Sequence, residues 1–252
     1  MKEKESQKKK RRRKSRKSPL SKLLAFTGIA IGIFLIASTS YFNVQAFKVT
    51  GNSYYSAEEI LVMGNCKTGG NIFWGADLKD IETRLEKDSY MSDVKVRRVL
   101  PDTVQIDVSE RVQIAAVVYG QHYVVIDKEG RVLRNTEVDP HLTQIHGLTI
   151  SKIEVGQLIE VEQKVKLRQT LEMLSVMADT DMYFTNIEIT KSGVDGFILD
   201  TLVCKGTPQN IMEAMKMGNL QKVVAGLFEM EIERGTITIS GGEYISFNPA
   251  LN

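Results

Sequence analysis

The chain has 252 residues, 33 of them basic and 31 acidic, for a formal net charge of +2. Five prolines and 19 glycines exclude a collagen-like or proline-rich chain, and 42% hydrophobic content is enough to build cores. Two cysteines exclude a disulfide scaffold. The net charge conceals a division. Residues 1–22 hold 12 basic and two acidic side chains, a net of +10; the other 230 hold 21 basic and 29 acidic, a net of −8. Such asymmetry predicts segments that face different partners.

The basic run, KKKRRRKSRKS at 8–18, leads into Leu23–Phe47, 25 residues without a formal charge. The apolar part, LLAFTGIAIGIFLIA, suits a bilayer core of about 30 Å, which needs roughly 20 residues. A transmembrane helix is expected over 23–45, with STSYFN as its interfacial end and Tyr41 and Phe42 as belt aromatics. Basic residues crowd the N-terminal flank, so residues 1–22 are expected in the cytoplasm and everything after the span outside. A cleavable signal peptide is the competing reading, with Ala37-Ser38-Thr39-Ser40 as its small residues, but the long basic region and long span favour an uncleaved anchor. The basic run has no interleaved aromatics, so it reads as a lipid-facing topology signal and not as a nucleic-acid site. Gly28 and Gly32 form a GxxxG pair, a weak indication of helix pairing in the membrane.

From 46 to 116 the pattern is strand, helix, helix, strand, strand. Phe47-Lys48-Val49 reads as a strand ending at Gly51-Asn52. Ser56 with Glu59 three residues on is a capping box. A second helix starts near Asp77 and aligns Leu78, Ile81 and Leu85. Val94 and Val96, then Val104, Ile106 and Val108, alternate with polar residues as two strands around Pro101-Asp102. Trp74, the one tryptophan, reads as a packed lid in a loop.

From 117 to 252 a mixed β-sheet domain with helices on one side is expected. Val117–Tyr119 and Tyr123–Ile126 are strands, and Asp127-Lys128-Glu129-Gly130 is a turn. A looser stretch runs through Pro140 to Leu148. Leu167, Leu171, Leu174 and Ala178 mark a helix over 161–178. Ile187 and Ile189 mark a strand, and Phe197–Cys204 reads as one central strand. Thr207-Pro208 opens a helical region that Gly218 interrupts. The chain then shows Thr236–Ser240, a Gly241-Gly242 turn and Glu243–Phe247. The overall fold class is therefore α+β behind a single N-terminal membrane helix.

Residues 46–116 resemble a POTRA (polypeptide-transport-associated) domain, in the form found in the FtsQ/DivIB family of bacterial cell-division proteins. The matching stretches are FKVTGN, Gly70-Asn71-Ile72-Phe73 followed by Leu78, and VKVRRVLPDTVQIDVSER, with Arg98, Pro101, Asp102, Thr103, Glu110 and Arg111 in place. Val112-Gln113-Ile114-Ala115 departs from the family, which usually has Pro before the Val-Ala pair. The order anchor, POTRA domain, β domain covers essentially the whole chain. The resemblance implies a bitopic divisome scaffold at the septum that helps place or regulate septal wall synthesis. It also implies partners of the FtsB/DivIC and FtsL types, with septal wall synthases as further ones, and a contact carried by the late strands. Here those positions are Thr236, Ile237, Ile239, Glu243, Tyr244, Ile245 and Phe247. A last strand at a sheet edge offers unpaired backbone groups to a partner strand, with Tyr244 and Phe247 as anchors; the alternative is that these are ordinary core residues. Arg98 and Arg111 are candidates for POTRA docking, or else salt-bridge partners.

The chemistry of an enzyme is not legible. The sequence holds no G-x-S-x-G, no S-x-x-K accompanied by its companion motifs, and no H-E-x-x-H. His122, His141 and His146 fall in turns or loops without ligand spacing, so no metal, cofactor or small-molecule substrate is expected. Cys66 and Cys204 read as free thiols. The reading from another class is a membrane-anchored POTRA protein handling translocating polypeptides; an anchored wall hydrolase would require the motifs that are missing.

Overall fold

The computed structural model describes residues 19–250, so the basic run at 8–18 lies outside the described residues. The first element is α1 (Pro19–Ala37), whose window Leu20–Ala37 has a mean hydropathy of 2.1. Its 19 residues span about 28 Å at 1.5 Å each, enough to cross a bilayer core. The helix stops at Ala37, eight residues short of the end expected at 45. Ser38 Oγ donates to the Phe34 carbonyl (2.8 Å) and Thr39 Oγ1 to that of Ile36 (2.8 Å), so local hydroxyls satisfy the last turn and the chain leaves it. A single 3-10 turn, Ser40–Phe42, follows.

Then come β1 (Ala46–Thr50), α2 (Ala57–Met63), α3 (Leu78–Leu85), β2 (Met91–Val99) and β3 (Thr103–Glu110). This is the expected order, and the strands form a three-stranded sheet in the order β1-β3-β2. The Ser56 capping box is present in both directions, and Ile60, Ile81 and Leu85 are buried. Gly51 has φ of +84°, and a Cβ there would run into the Val108 carbonyl oxygen, so strand β1 can end against β3 only with glycine.

The remaining elements are β4 (Ala115–Tyr119), β5 (His122–Ile126), β6 (Val132–Thr136), β7 (Thr143–His146), β8 (Ile150–Lys152), β9 (Glu160–Val161), α4 (Lys164–Met177), β10 (Asn186–Ile189), β11 (Val194–Leu199), β12 (Leu202–Gly206), α5 (Pro208–Lys216), α6 (Asn219–Glu229), β13 (Gly235–Ile239) and β14 (Ile245–Pro249). Nine of these strands form one sheet in the order β14-β13-β12-β11-β10-β7-β4-β5-β6. β7 runs parallel to both β4 and β10, and β12 parallel to β13; the other neighbours are antiparallel. Leu171 and Leu174 of α4, Ile211 and Ala214 of α5, and Leu220 and Leu227 of α6 share one core with Val117, Val124, Ile145, Ile187, Cys204 and Ile237 of the sheet. Alternate residues of a strand share a face, so all three helices cover the same side, as expected.

Two expectations for this part are corrected. Phe197–Cys204 is not one strand but the hairpin β11–β12, turned at the exposed pair Asp200-Thr201, where Thr201 Oγ1 donates to the Glu233 carbonyl (2.8 Å). The looser stretch through Leu148 contains β7, a central strand only four residues long.

The chain packs as two compact units. Among the described residues, one holds 19–48 with 67–77 and 97–105; the other holds 49–66, 78–96 and 106–250. In the first, Val44, Ile72 and Val104 are buried. The second carries the nine-stranded sheet and its core.

Candidate protein-binding edge

Among the described residues, β14 is the last strand in sequence and lies at one end of the nine-stranded sheet, paired only with β13. The opposite end, β6, is partly shielded. The Val132 N–H donates to the Gln157 carbonyl (2.8 Å), and the Val132 carbonyl accepts from the Gly156 N–H (2.8 Å). β14 is thus the barer of the two edges.

The residues expected there divide into three groups. Ile237 and Ile239 of β13 are buried in the core, so their side chains hold the sheet together and do not meet a partner. Thr236, on the same strand, is half-buried. Glu243 and Tyr244 precede the strand in a tight turn, where the Tyr244 N–H donates to the Gly241 carbonyl (3.1 Å) and its own carbonyl accepts from the Ser240 N–H (3.0 Å). Tyr244 is 76% exposed. Ile245 and Phe247 stand on β14 opposite Ile239 and Ile237 and pack half-buried against the core. The Phe247 ring lies 2.6 Å from where a Cβ on Gly235 would stand. Gly235 has φ of +143°, so the ring covers a backbone position that glycine alone leaves open.

Arg98 and Arg111 are both engaged within the protein. Arg98 Nε donates to the Ile72 carbonyl (2.5 Å) and its Nη2 to that of Phe73 (3.4 Å), clamping a loop. Arg111 Nη1 pairs with Asp127 Oδ2 (2.9 Å) and Glu129 Oε2 (3.2 Å), its side chain largely buried. The other Asp127 oxygen accepts from the Glu129 and Arg131 N–H groups (2.9 Å each), which fixes the turn. Beside Arg111, Glu110 accepts from the N–H groups of Ser53 (2.6 Å), Tyr54 (2.5 Å) and Tyr55 (3.2 Å). The E-R pair therefore reaches in two directions, with Arg111 in the salt-bridge role that is the alternative to docking. At Gly28 and Gly32 a Cβ would meet nothing within 4 Å, so both positions present a bare face of α1.

Among the described residues, no group of three or more His, Cys, Asp or Glu could hold a metal ion. Both cysteines are free; burial pushes the Cys66 thiol up to about 11 and that of Cys204 up to about 12. Burial thus keeps both thiols protonated at neutral pH, which disfavours the reactive thiolate.

Residues 42–111 match the family model for the POTRA domain, FtsQ-type. The chain is similar to cell division protein DivIB of Clostridium acetobutylicum, 27% identical over 191 residues that cover 73% of this chain and 74% of that protein. It is similar to DivIB of Bacillus subtilis at 20% identity over 89% of this chain and 85% of that one. Cell division protein FtsQ of Syntrophotalea carbinolica is 28% identical over 66% of this chain and 62% of its own length.

Proposed function

We infer that this chain belongs to the FtsQ/DivIB family of bacterial cell division proteins and that it works as a membrane-anchored scaffold of the division machinery. One observation carries the reading: an FtsQ-type POTRA domain begins at residue 42, five residues after an apolar helix of membrane-spanning length ends at Ala37. The similarity to DivIB proteins extends well past that domain.

The proposed topology keeps the +10 tail on the cytoplasmic leaflet and the domains after α1 outside, on the positive-inside rule. The division septum is the proposed location. The proposed domains are the anchor, a POTRA domain near 46–116 that supports docking, and a β domain from 117 that holds partners. The role is non-catalytic: placement and stoichiometric binding.

The partners we propose are membrane-anchored division proteins of the FtsB/DivIC and FtsL types, taken on at the β14 edge. In an antiparallel ladder, residues alternate between bonding inward and facing outward. The Ser240–Tyr244 backbone bond sets the phase, which turns the main-chain groups of Ile245 and Phe247 to the open side. A partner strand added there gains main-chain hydrogen bonds, with Tyr244 beside it as a rigid contact. Pro249 has no N–H and limits how far such pairing can run.

Depletion combined with microscopy of a fluorescent fusion tests the scaffold. A mid-cell signal and filamentous cells on depletion are expected. A diffuse membrane signal with normal division would reject the reading.

A further inference from the structure

The apolar helix and the loop at 71–76 meet through stacked rings. Phe34 lies three residues before the end of α1, and its ring stacks on Trp74 with centroids 5.3 Å apart and planes at 27°. Trp74 meets Phe73 at 5.6 Å, and Phe73 meets Phe42 at 5.4 Å. Polar bonds hold the same geometry. Asn71 Nδ2 donates to the Ala37 carbonyl (2.8 Å), one of the orphan acceptors at the helix end, while Asn71 Oδ1 accepts from the Phe73 N–H (3.0 Å). The Ile72 N–H donates to the Phe42 carbonyl and the Val44 N–H to the Gly70 carbonyl, both at 2.8 Å. The Arg98 clamp closes the loop from the other side. The loop cannot leave the helix end without breaking the Phe34–Trp74 stack and the Asn71–Ala37 bond, while the other bonds fix it on residues 42–44 and Arg98.

Depth follows from position. Three residues at about 1.5 Å put Phe34 about 4.5 Å below the last helical residue, inside the final turn of the apolar span. A ring stacked on Phe34 lies at the same level. We propose that Trp74 and its loop, with the hairpin tip at Leu100, form a lipid-binding face that sits in the headgroup–acyl boundary of the membrane crossed by α1. This rests on the reading of α1 as a membrane anchor and adds a second contact to it.

The chemistry of the face suits that occupant. Trp74 is 56% and Leu100 57% exposed to solvent, a cost in water that a bilayer interface removes. Tryptophan favours the headgroup level, where its ring is half apolar and its N–H finds an acceptor. The hairpin that carries Leu100 is tied to the loop by Arg98, which donates to the Ile72 and Phe73 carbonyls, and to residue 45, where the Gln45 N–H donates to the Asp102 carbonyl (2.8 Å). Lys48, Lys67, Arg97 and Arg98 outnumber Asp77 and Asp102 in residues 38–48, 67–77 and 97–105, whereas the chain beyond residue 22 is acidic as a whole. A lipid-seated loop fixes this unit against the bilayer surface, where a lone helix would act as a swivel.

Trp74 is the only tryptophan, so its emission reports this loop alone. The full chain is reconstituted into phosphatidylethanolamine–phosphatidylglycerol vesicles carrying lipids brominated at either a shallow or a deep position of the acyl chain. The expected result is emission shifted to shorter wavelength than in denaturant, strong quenching by the shallow bromines, weaker quenching by the deep ones, and loss of quenching by aqueous iodide. A Trp74→Phe/Phe34→Trp variant marks the level of the helix itself. Quenching of that reporter by brominated lipid, with wild-type Trp74 open to iodide and untouched by bromine, would overturn the lipid-binding face and leave the anchor standing. Failure of both reporters to feel the lipid would remove the anchor reading and the proposal with it.

Discussion

Glu110 accepts three backbone hydrogen bonds from residues 53–55, and removing its carboxylate leaves those donors unpaired next to a stacked pair of rings, Tyr54 and Tyr90, 4.1 Å apart. Charge-assisted bonds are worth about 1.5–3 kcal/mol each, with much overlap when one group makes several, so Glu110→Ala is expected to cost about 2 kcal/mol. The midpoint of urea unfolding of the detergent-solubilised chain measures this; an unchanged midpoint would mean that water serves the three donors equally well. The adjacent Arg111 holds the second oxygen of a carboxylate, Asp127, that is almost fully buried. Arg111→Met removes that partner and strands the charge, so the loss is expected to be larger, about 3–5 kcal/mol. The same unfolding measurement ranks the two variants. The two thiols supply a pH signature. Their folded pKa values, about 11 and about 12, lie above the unfolded value near 8.5. Below about pH 8.5 both states keep the protons and nothing changes. Above it the unfolded chain releases protons that the folded chain retains, so stability falls as pH rises toward 11. Alkylation at pH 8 is therefore expected to be slow at half-buried Cys66 and absent at Cys204 until the chain unfolds. The sequence displayed the E-R pair and the turn role of Asp127. It did not display their meeting, because the two lie 16 residues apart and join only through the packed fold.

Elements built from local signals were legible, and those defined by pairing were not. Helix α2 begins at a reciprocal Ser56–Glu59 cap, readable as S-x-x-E. The Ser56 N–H and hydroxyl hold the Glu59 carboxyl below the usual carboxylate range. Ser56→Ala is expected to cost about 1 kcal/mol at neutral pH. Part of that gap is expected to close in acid, since a lowered carboxyl pKa contributes stability above its unfolded value near 4.3 that is lost as pH falls through the folded one. Paired unfolding curves at pH 7 and pH 3 for wild type and variant check both statements. The Thr207 cap of α5 was equally visible, because its hydroxyl accepts from the Asn210 N–H within one turn. By contrast β7 has four residues with just Thr143 and Ile145 buried, too short for any periodicity to register. It is a strand because β4 and β10 flank it, and because Thr143 donates to the Phe184 carbonyl (2.8 Å). The break at Asp200-Thr201 was hidden by apolar residues on both sides, which read as one buried run. The end of α1 is hidden for a related reason: uncharged residues continue to Phe47, but Ser38 and Thr39 turn the backbone out of the helix at Ala37.

At the scale of the whole molecule, the small net charge is the sum of a strongly basic tail and an acidic remainder, joined by one apolar helix. A sheet of nine strands must end somewhere, and its two ends are not equivalent. The β6 end is occupied by residues 156–157, while among the described residues β14 has a neighbour on one side only. That asymmetry separates two residues that the sequence treated alike. Tyr244 is exposed in a turn and makes no core contact, so Tyr244→Ser is expected to leave the unfolding midpoint within about 0.5 kcal/mol of wild type. Phe247 covers Gly235 and borders the core, so Phe247→Ser is expected to lose about 2 kcal/mol from a half-buried aromatic. Capture of membrane-anchored division proteins from solubilised membranes then reads the edge directly. With binding at β14, Tyr244→Ser weakens capture several-fold in a fully folded protein, while the loss in Phe247→Ser mixes binding with folding. The chain beyond residue 22 is acidic as a whole, so capture of a partner with a basic rim is expected to weaken as salt is raised. Undiminished capture by folded Tyr244→Ser, across the same salt range, would move the partner surface away from this edge.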